Sequence, residues 1–169
     1  AVEFLNEYFT AMHDVIEEFD GHILNYIGDS VMVVFGAPEE LKDHELQAVK
    51  CAVKMRKKLE ELNQKWDDNE LSRYWKNHGI DTITARTGIH TGSIIAGNIG
   101  SERMLQYSTI GDVVNVAARL EQANKEFDTS IAFSQEIYTA LTKDLNSESS
   151  FQGEIQLKGR ENATKVYSI

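Results

Sequence analysis

Between Phe4 and Phe35 the apolar pattern changes period once, and that change confines the chain to folds in which a helix feeds directly into a hairpin. Phe4, Leu5, Tyr8, Phe9, Met12, Val15, Ile16 and Phe19 recur at helical spacing, as the buried stripe of one α-helix does. Asp20-Gly21 stops the stripe, because this pair suits a helix end better than another turn. The segment from His22 to Ile27 and the run Val31 to Phe35 then flank Gly28-Asp29-Ser30. That pattern predicts two strands joined by a tight turn with Asp29 at its tip.

The same two periods alternate through the rest of the chain. Ala48, Ala52, Met55, Leu59 and Leu62 mark a second helix from near Asp43 into Asn63, with a largely charged opposite face. Trp66 to Asp81 mixes acids, Asn and Gly with Trp66, Tyr74 and Trp75 without a clean period. It reads as a connecting segment with room for a short helical turn, its aromatics forming either a satellite cluster under the loop or a partner contact. Ile83 to Ile89 alternates, and Ser93 to Ala96 follows His90-Thr91-Gly92, which predicts a second hairpin. A strand near Leu105 to Ile110 leads through Gly111-Asp112 into a helix striped by Val113, Val116, Ala117, Leu120 and Phe127. Ile131 to Phe133 reads as a short strand, Ser134 as the cap of a brief helix through Leu141, and Lys143 to Ser150 as a polar loop. Phe151 to Leu157 and Lys165 to Ile169 read as closing strands. The alternation predicts an α+β sandwich with helices on one face of a mainly antiparallel sheet.

Bulk properties narrow the function. At 169 residues, 41% hydrophobic and with one proline, the chain is expected to form a single domain over residues 1–169. A formal charge of −10 argues against a nucleic-acid surface, which needs clustered Lys and Arg to displace counterions. Any phosphate ligand must then be met by a few placed cations or by metal ions. The single cysteine, Cys51, has no intrachain partner, and a reducing, cytoplasmic setting is the simplest expectation. No apolar run approaches the roughly 20 residues that span a bilayer, and the N-terminus has no signal-peptide pattern. The first helix opens without a cap, so the chain is expected to start inside a longer domain, which leaves open a membrane anchor elsewhere.

Two constellations carry chemistry. A carboxylate on a strand-to-strand turn, preceded by glycine, projects from a rigid sheet, and Asp29 fits that description. Mg²⁺ and Mn²⁺ prefer carboxylate oxygen, with one or two carboxylates plus substrate phosphates completing their shell; by itself, Gly28-Asp29 is equally ordinary turn chemistry. The second runs from Gln106 to Glu121, where Asn115 and Arg119 stand four apart on a predicted helix and so share a face. An amide and a guanidinium arranged in this way suit a ribose and a charged phosphate, although an exposed Asn and a surface ion pair would look the same.

These segments, with others, resemble one family. Asn25-Tyr26-Ile27-Gly28-Asp29-Ser30-Val31-Met32-Val33-Val34-Phe35-Gly36 is similar to the second metal-binding segment of class III adenylyl and guanylyl cyclases. Thr87-Gly88-Ile89-His90-Thr91-Gly92, Gly97-Asn98-Ile99-Gly100 and Tyr107 to Glu121 resemble the blocks that follow, in order, and Leu157-Lys158-Gly159-Arg160 resembles the closing element. The resemblance covers nearly the whole chain and implies a ferredoxin-like sandwich. It also implies conversion of ATP to 3′,5′-cyclic AMP and pyrophosphate, with Asp29 one of two aspartates holding two Mg²⁺ or Mn²⁺ ions. Asn115 would orient the ribose, Arg119 would stabilise charge on the α-phosphate, and Arg160, or else Lys158, would meet the terminal phosphates. His90 matches a block position without a catalytic role. The family's other metal aspartate belongs to a strand before the first helix, so the chain is expected to be N-terminally incomplete, with that first strand absent.

The purine-reading positions depart from the family. Adenylyl cyclases usually place Lys where this chain has Asn25 and Asp or Thr where it has Ser108, whereas guanylyl cyclases tend to have Glu and Cys. The Ser108 hydroxyl and the lack of an acid at residue 25 favour ATP over GTP, although an amide both donates and accepts. The resemblance further implies a head-to-tail homodimer with composite active sites, Asp29 coming from one subunit and Asn115 and Arg119 from the other. Attached regulatory domains are expected in the full-length protein. The alternatives are a guanylyl cyclase making cyclic GMP, a non-catalytic cyclase-like regulatory domain, or a ferredoxin-like binding module.

Overall fold

A computed structural model describes residues 2–93 and 112–169. Helix α1 (Val2–Glu18) is followed by strands β1 (His22–Ile27) and β2 (Ser30–Val34), as the change of period predicts. The helix ends in a Schellman arrangement, with Gly21 N–H donating to Ile16 O at 2.9 Å and Asp20 N–H to Glu17 O at 3.0 Å. Asp20 takes the left-handed position, φ 60°, whereas Gly21 serves close approach: a Cβ there would sit 2.8 Å from Ile16 Cγ2 and 2.9 Å from the Phe35 ring. The hairpin is thereby pressed onto α1, and Val15 and Ile16 meet Ile23, Val31, Val33 and Phe35, with Cys51 completing the cluster.

Helix α2 spans His44–Asp68, five residues beyond the expected end at Asn63. The Leu59, Leu62, Trp66 spacing carries the stripe on, and the Asn63 amide binds the next segment, accepting from Ile83 N–H at 3.0 Å and donating to Ile83 O at 2.9 Å. A short helix, α3 (Arg73–Lys76), fills the connecting segment. Trp66 and Trp75 are buried against α1 and each other, with ring centroids 5.5 Å apart, so two of the three aromatics belong to a core cluster. Tyr74 faces outward.

The remaining described elements are β3 (Thr87–Ile89), α4 (Asp112–Phe127), β4 (Ile131–Ser134), α5 (Gln135–Ala140), α6 (Lys143–Glu148), β5 (Ser150–Ile155) and β6 (Thr164–Ser168). They build a four-stranded sheet in the order β3-β4-β6-β5, with β3 parallel to β4 and the other two pairings antiparallel. The architecture is α+β, with helices packed on a mainly antiparallel sheet. Both faces of this sheet are covered, where one had been expected. Alternation along β4 sends Ile131 and Phe133 toward Val49 and Ala52 of α2 and Ile137 of α5, and sends Ala132 toward Val116, Leu120 and Ala123 of α4. A strand buried on both faces reads as a continuous apolar run, so its sequence carries no period.

Lys143–Glu148, expected as loop, is helix α6. Its one apolar anchor, Leu145, packs on the core around Phe133, and a single residue gives no period to read. The strands expected at Ser93 to Ala96 and Leu105 to Ile110 fall wholly or mainly outside the described residues.

Candidate functional site

The β1–β2 register pairs Ile27 with Ser30, leaving Gly28-Asp29 as a two-residue loop. Gly28 has φ 61°, the backbone that glycine supplies at the first position of such hairpins. Asp29 is exposed at the tip. It lies close enough to Tyr8 of α1 to act on it: burial raises the Tyr8 phenol above its ordinary pKa, and the Asp29 charge adds to the shift. Two residues from the loop the register slips between Ile23 and Asn25, a bulge of the kind that re-aims side chains beside sites. Asn25 is half-buried, and its Oδ1 is shielded from solvent without a hydrogen-bond partner among the described residues. An acceptor in that state has room for a further donor.

The second group gathers on α4. Val116, Leu120, Ala123 and Asn124 form its buried face, which leaves Asn115 exposed and Arg119 half-buried beside the stripe. The helix is set against β3 at near backbone contact: a Cβ on Gly88 would lie 2.2 Å from Ala117 O and 2.3 Å from Glu121 N. Asn124 ties the same two elements, its Nδ2 donating to Thr87 O at 3.0 Å while its Oδ1 accepts from Thr129 Oγ1 at 2.7 Å. The turn between β5 and β6 then brings Arg160 to the first turn of α4, where its Nη2 donates to Asp112 Oδ2. Lys158 in the same turn is exposed.

The structure therefore joins Arg160 to the helix that bears Asn115 and Arg119, across 48 residues of sequence. Arg119 and Asn115 are not drawn together. The Arg119 Nη2 meets Glu126 Oε1 at 2.8 Å, toward the C-terminal end of α4, whereas Asn115 lies one turn toward the other end. Sequence spacing placed both residues near one face but had no signal for Glu126 as the partner. Asp112 was also missed, because Gly111-Asp112 read only as the lead into a helix. Ser108 and the segments Gly97 to Gly100 and Tyr107 to Gly111 lie outside the described residues.

His90 is built into the core. Its side chain is 4% exposed, and Nδ1 lies 2.8 Å from the Ser134 hydroxyl, with Glu136 at 3.7 Å. Burial lowers its pKa; Glu136 and Asp112 oppose the shift and Arg160 assists it. Ser134 occupies the N-cap of α5 without a side-chain capping bond, its hydroxyl being turned to His90 instead.

Among the described residues no three His, Cys, Asp or Glu side chains gather to enclose a metal ion. Asp29 stands as an exposed hard-oxygen donor. That donor set fits Mg²⁺ or Mn²⁺ held by one or two carboxylates with substrate phosphates and water completing the shell, and does not fit a closed all-protein site. No helix among the described residues is long and apolar enough to cross a membrane.

Comparison with known proteins identifies the family. The sequence profile described as "Adenylate and Guanylate cyclase catalytic domain" matches residues 1–169. Adenylate cyclase 1 of Rhizobium meliloti is 34% identical over 168 residues, covering 99% of this chain and 24% of that protein. An adenylate cyclase of Anabaena cylindrica is 29% identical, covering 98% of the chain and 31% of that protein. The chain thus spans about a quarter to a third of the length of these relatives. Among solved structures, a guanylyl cyclase superimposes with TM-score 0.73 at 32% identity, covering 98% of this chain and 78% of that one. The adenylyl cyclase CyaB from P. aeruginosa gives TM-score 0.70 at 29% identity, covering 98% and 80%. With the profile matched from end to end and the fold shared, the chain belongs to the adenylate and guanylate cyclase catalytic-domain family.

Proposed function

We propose that the chain is the catalytic domain of an adenylyl cyclase, converting ATP to 3′,5′-cyclic AMP and pyrophosphate. The observation that carries this reading is the placement of Arg160 on the first turn of the helix that bears Asn115 and Arg119. It concentrates cationic and amide donors on one helix of a chain with net charge −10.

In the reaction the ribose 3′-oxygen bonds to the α-phosphorus, the bond from that phosphorus to the β-bridging oxygen breaks, the hydroxyl proton passes to solvent, and pyrophosphate leaves. Asp29, as one of two aspartates, would hold the two Mg²⁺ or Mn²⁺ ions. When bound they supply a lowered hydroxyl pKa and neutralise the triphosphate. Asn115 orients the ribose by donating and accepting from its amide. Arg119 donates to the α-phosphate oxygens as their charge grows, and Arg160 to the terminal phosphates. Asn25, whose Oδ1 has no partner among the described residues, accepts from the adenine amino group, and the Ser108 hydroxyl is assigned to the same purine edge. A head-to-tail homodimer forms two sites, each with Asp29 from one protomer and Asn115 and Arg119 from its partner. The Asn25 amide also supports a second reading, GTP as substrate, because its Nδ2 donates to a guanine carbonyl as readily as its Oδ1 accepts.

The test is incubation of the full-length protein with ATP or GTP and Mn²⁺, with cyclic nucleotide and pyrophosphate measured together. Cyclic AMP and pyrophosphate in equal amounts support the reading. Cyclic GMP alone transfers it to the second, and a folded dimer that yields neither refutes both.

A further inference from the structure

We propose that Glu126 is a positioning residue that holds Arg119 off the triphosphate in the resting chain, so that substrate binding exchanges the Glu126 carboxylate for phosphate oxygens. The inference rests on the adenylyl cyclase reading and adds to it a residue outside every segment that carries the family resemblance.

The geometry is specific. Glu126 lies seven residues beyond Arg119, about 10 Å along the axis of α4, yet Arg119 Nη2 and Glu126 Oε1 are 2.8 Å apart. Only a guanidinium stretched along the helix toward its C-terminal end closes that gap. Asn115 lies about 6 Å in the opposite direction. A nucleotide whose ribose meets Asn115 and whose α-phosphate meets Arg119 requires the guanidinium to swing back, which the ion pair opposes. The nearer acid on the same helix, Glu121, is paired with Arg86 at 3.2 Å and does not compete.

Glu126 is also poorly placed for helix stability. It sits in the last turn of α4, where exposed carbonyl groups disfavour a carboxylate. The Arg119 and Glu126 side chains are 31% and 52% exposed, which makes the contact a shallow latch: pairs of this exposure shift an equilibrium by about twofold to fivefold. A triphosphate offers several oxygens and more charge than one carboxylate, so it displaces Glu126 without any further trigger.

The test compares wild type, Glu126→Gln and Glu126→Asp in the full-length protein. It measures steady-state kinetics with Mn²⁺–ATP and, separately, the Kd for 3′-deoxy-ATP, which lacks the attacking hydroxyl. Glu126→Gln is expected to lower both KM and that Kd by about twofold to fivefold, with kcat and thermal stability unchanged or raised. Glu126→Asp, too short to span the gap with the same geometry, should fall between. In an Arg119→Ala background the Glu126→Gln change should leave the Kd unaltered. An active wild type whose KM and Kd are unmoved by Glu126→Gln overturns the latch alone, as does a drop in kcat, which would make Glu126 a support for the productive Arg119 position. A wild type that neither binds nor cyclises the triphosphate overturns the functional reading and the latch with it.

Discussion

Replacing Gly88 by alanine tests the junction that sets the position of α4. Gly88 lies in β3 without a left-handed φ, so alanine can adopt its backbone. On that ground alone the substitution would stabilise the protein by about 0.4–1 kcal/mol through the unfolded chain. The tertiary structure reverses the sign. The new Cβ would stand 2.2 Å from Ala117 O, 2.3 Å from Glu121 N and 2.9 Å from Glu121 Cα. All three are backbone atoms, unable to rotate aside, and the helix must withdraw by roughly 1 Å to restore contact distance. Overpacking of this kind costs about 3 kcal/mol, which lowers Tm by about 6–12 °C in a chain of this size. Gly92→Ala is the control, since among the described residues its Cβ would meet only the Val113 Cγ2 methyl, at 2.8 Å, a side-chain atom and not backbone. Urea unfolding followed by circular dichroism should give Gly88→Ala a lower midpoint at unchanged slope, with Gly92→Ala within about 1 kcal/mol of wild type. A Gly88→Ala protein as stable as wild type, or more so, would refute the close approach and with it the account of how Arg119 is positioned.

Asp29→Ala and Arg119→Ala, each expected to be inactive alone, should recover about a quarter of wild-type cyclisation when equal amounts are mixed, because half the dimers would carry one unmutated site; no recovery despite demonstrated subunit exchange refutes the composite site. Burial holds the His90 pKa below its ordinary value of 6.5, so the fold favours the neutral ring. That contribution is complete above pH 6.5 and declines as pH falls toward the folded-state pKa. The stability difference between wild type and His90→Gln should accordingly narrow from pH 7.5 to pH 5.5 in urea titrations, and a constant difference counts against it. Burial, assisted by Glu18, pushes the Cys51 thiol up to about 12, which leaves about one thiol in ten thousand ionised at pH 8. Iodoacetamide should leave the native protein almost untouched and label it rapidly in urea; fast labelling of the folded protein would show that Cys51 is open to solvent.

The parts of the fold legible in the sequence were those with one buried face. α1, the hairpin and the first five turns of α2 each expose their other side, so the apolar period matches the geometry. β4 was legible as a short apolar run, but its cover by helices on both faces was not, because a strand buried on both sides shows no alternation. α6 was missed because it rests on Leu145 alone. The last turn of α2 was missed because Asn63 resembles a stop, whereas its amide is satisfied by Ile83 and Trp66 extends the stripe.

For the candidate site, local sequence alone determined that Asp29 sits on a tight hairpin loop and that Asn115 and Arg119 ride on one helix, since turn chemistry and helical spacing act over a few residues. Only the tertiary structure decided that Arg160 reaches Asp112 at the head of that helix, that His90 is sealed against Ser134, and that Arg119 is drawn toward Glu126 and away from Asn115. Those contacts depend on which side chains packing brings within about 3 Å, and a one-dimensional pattern does not encode that distance.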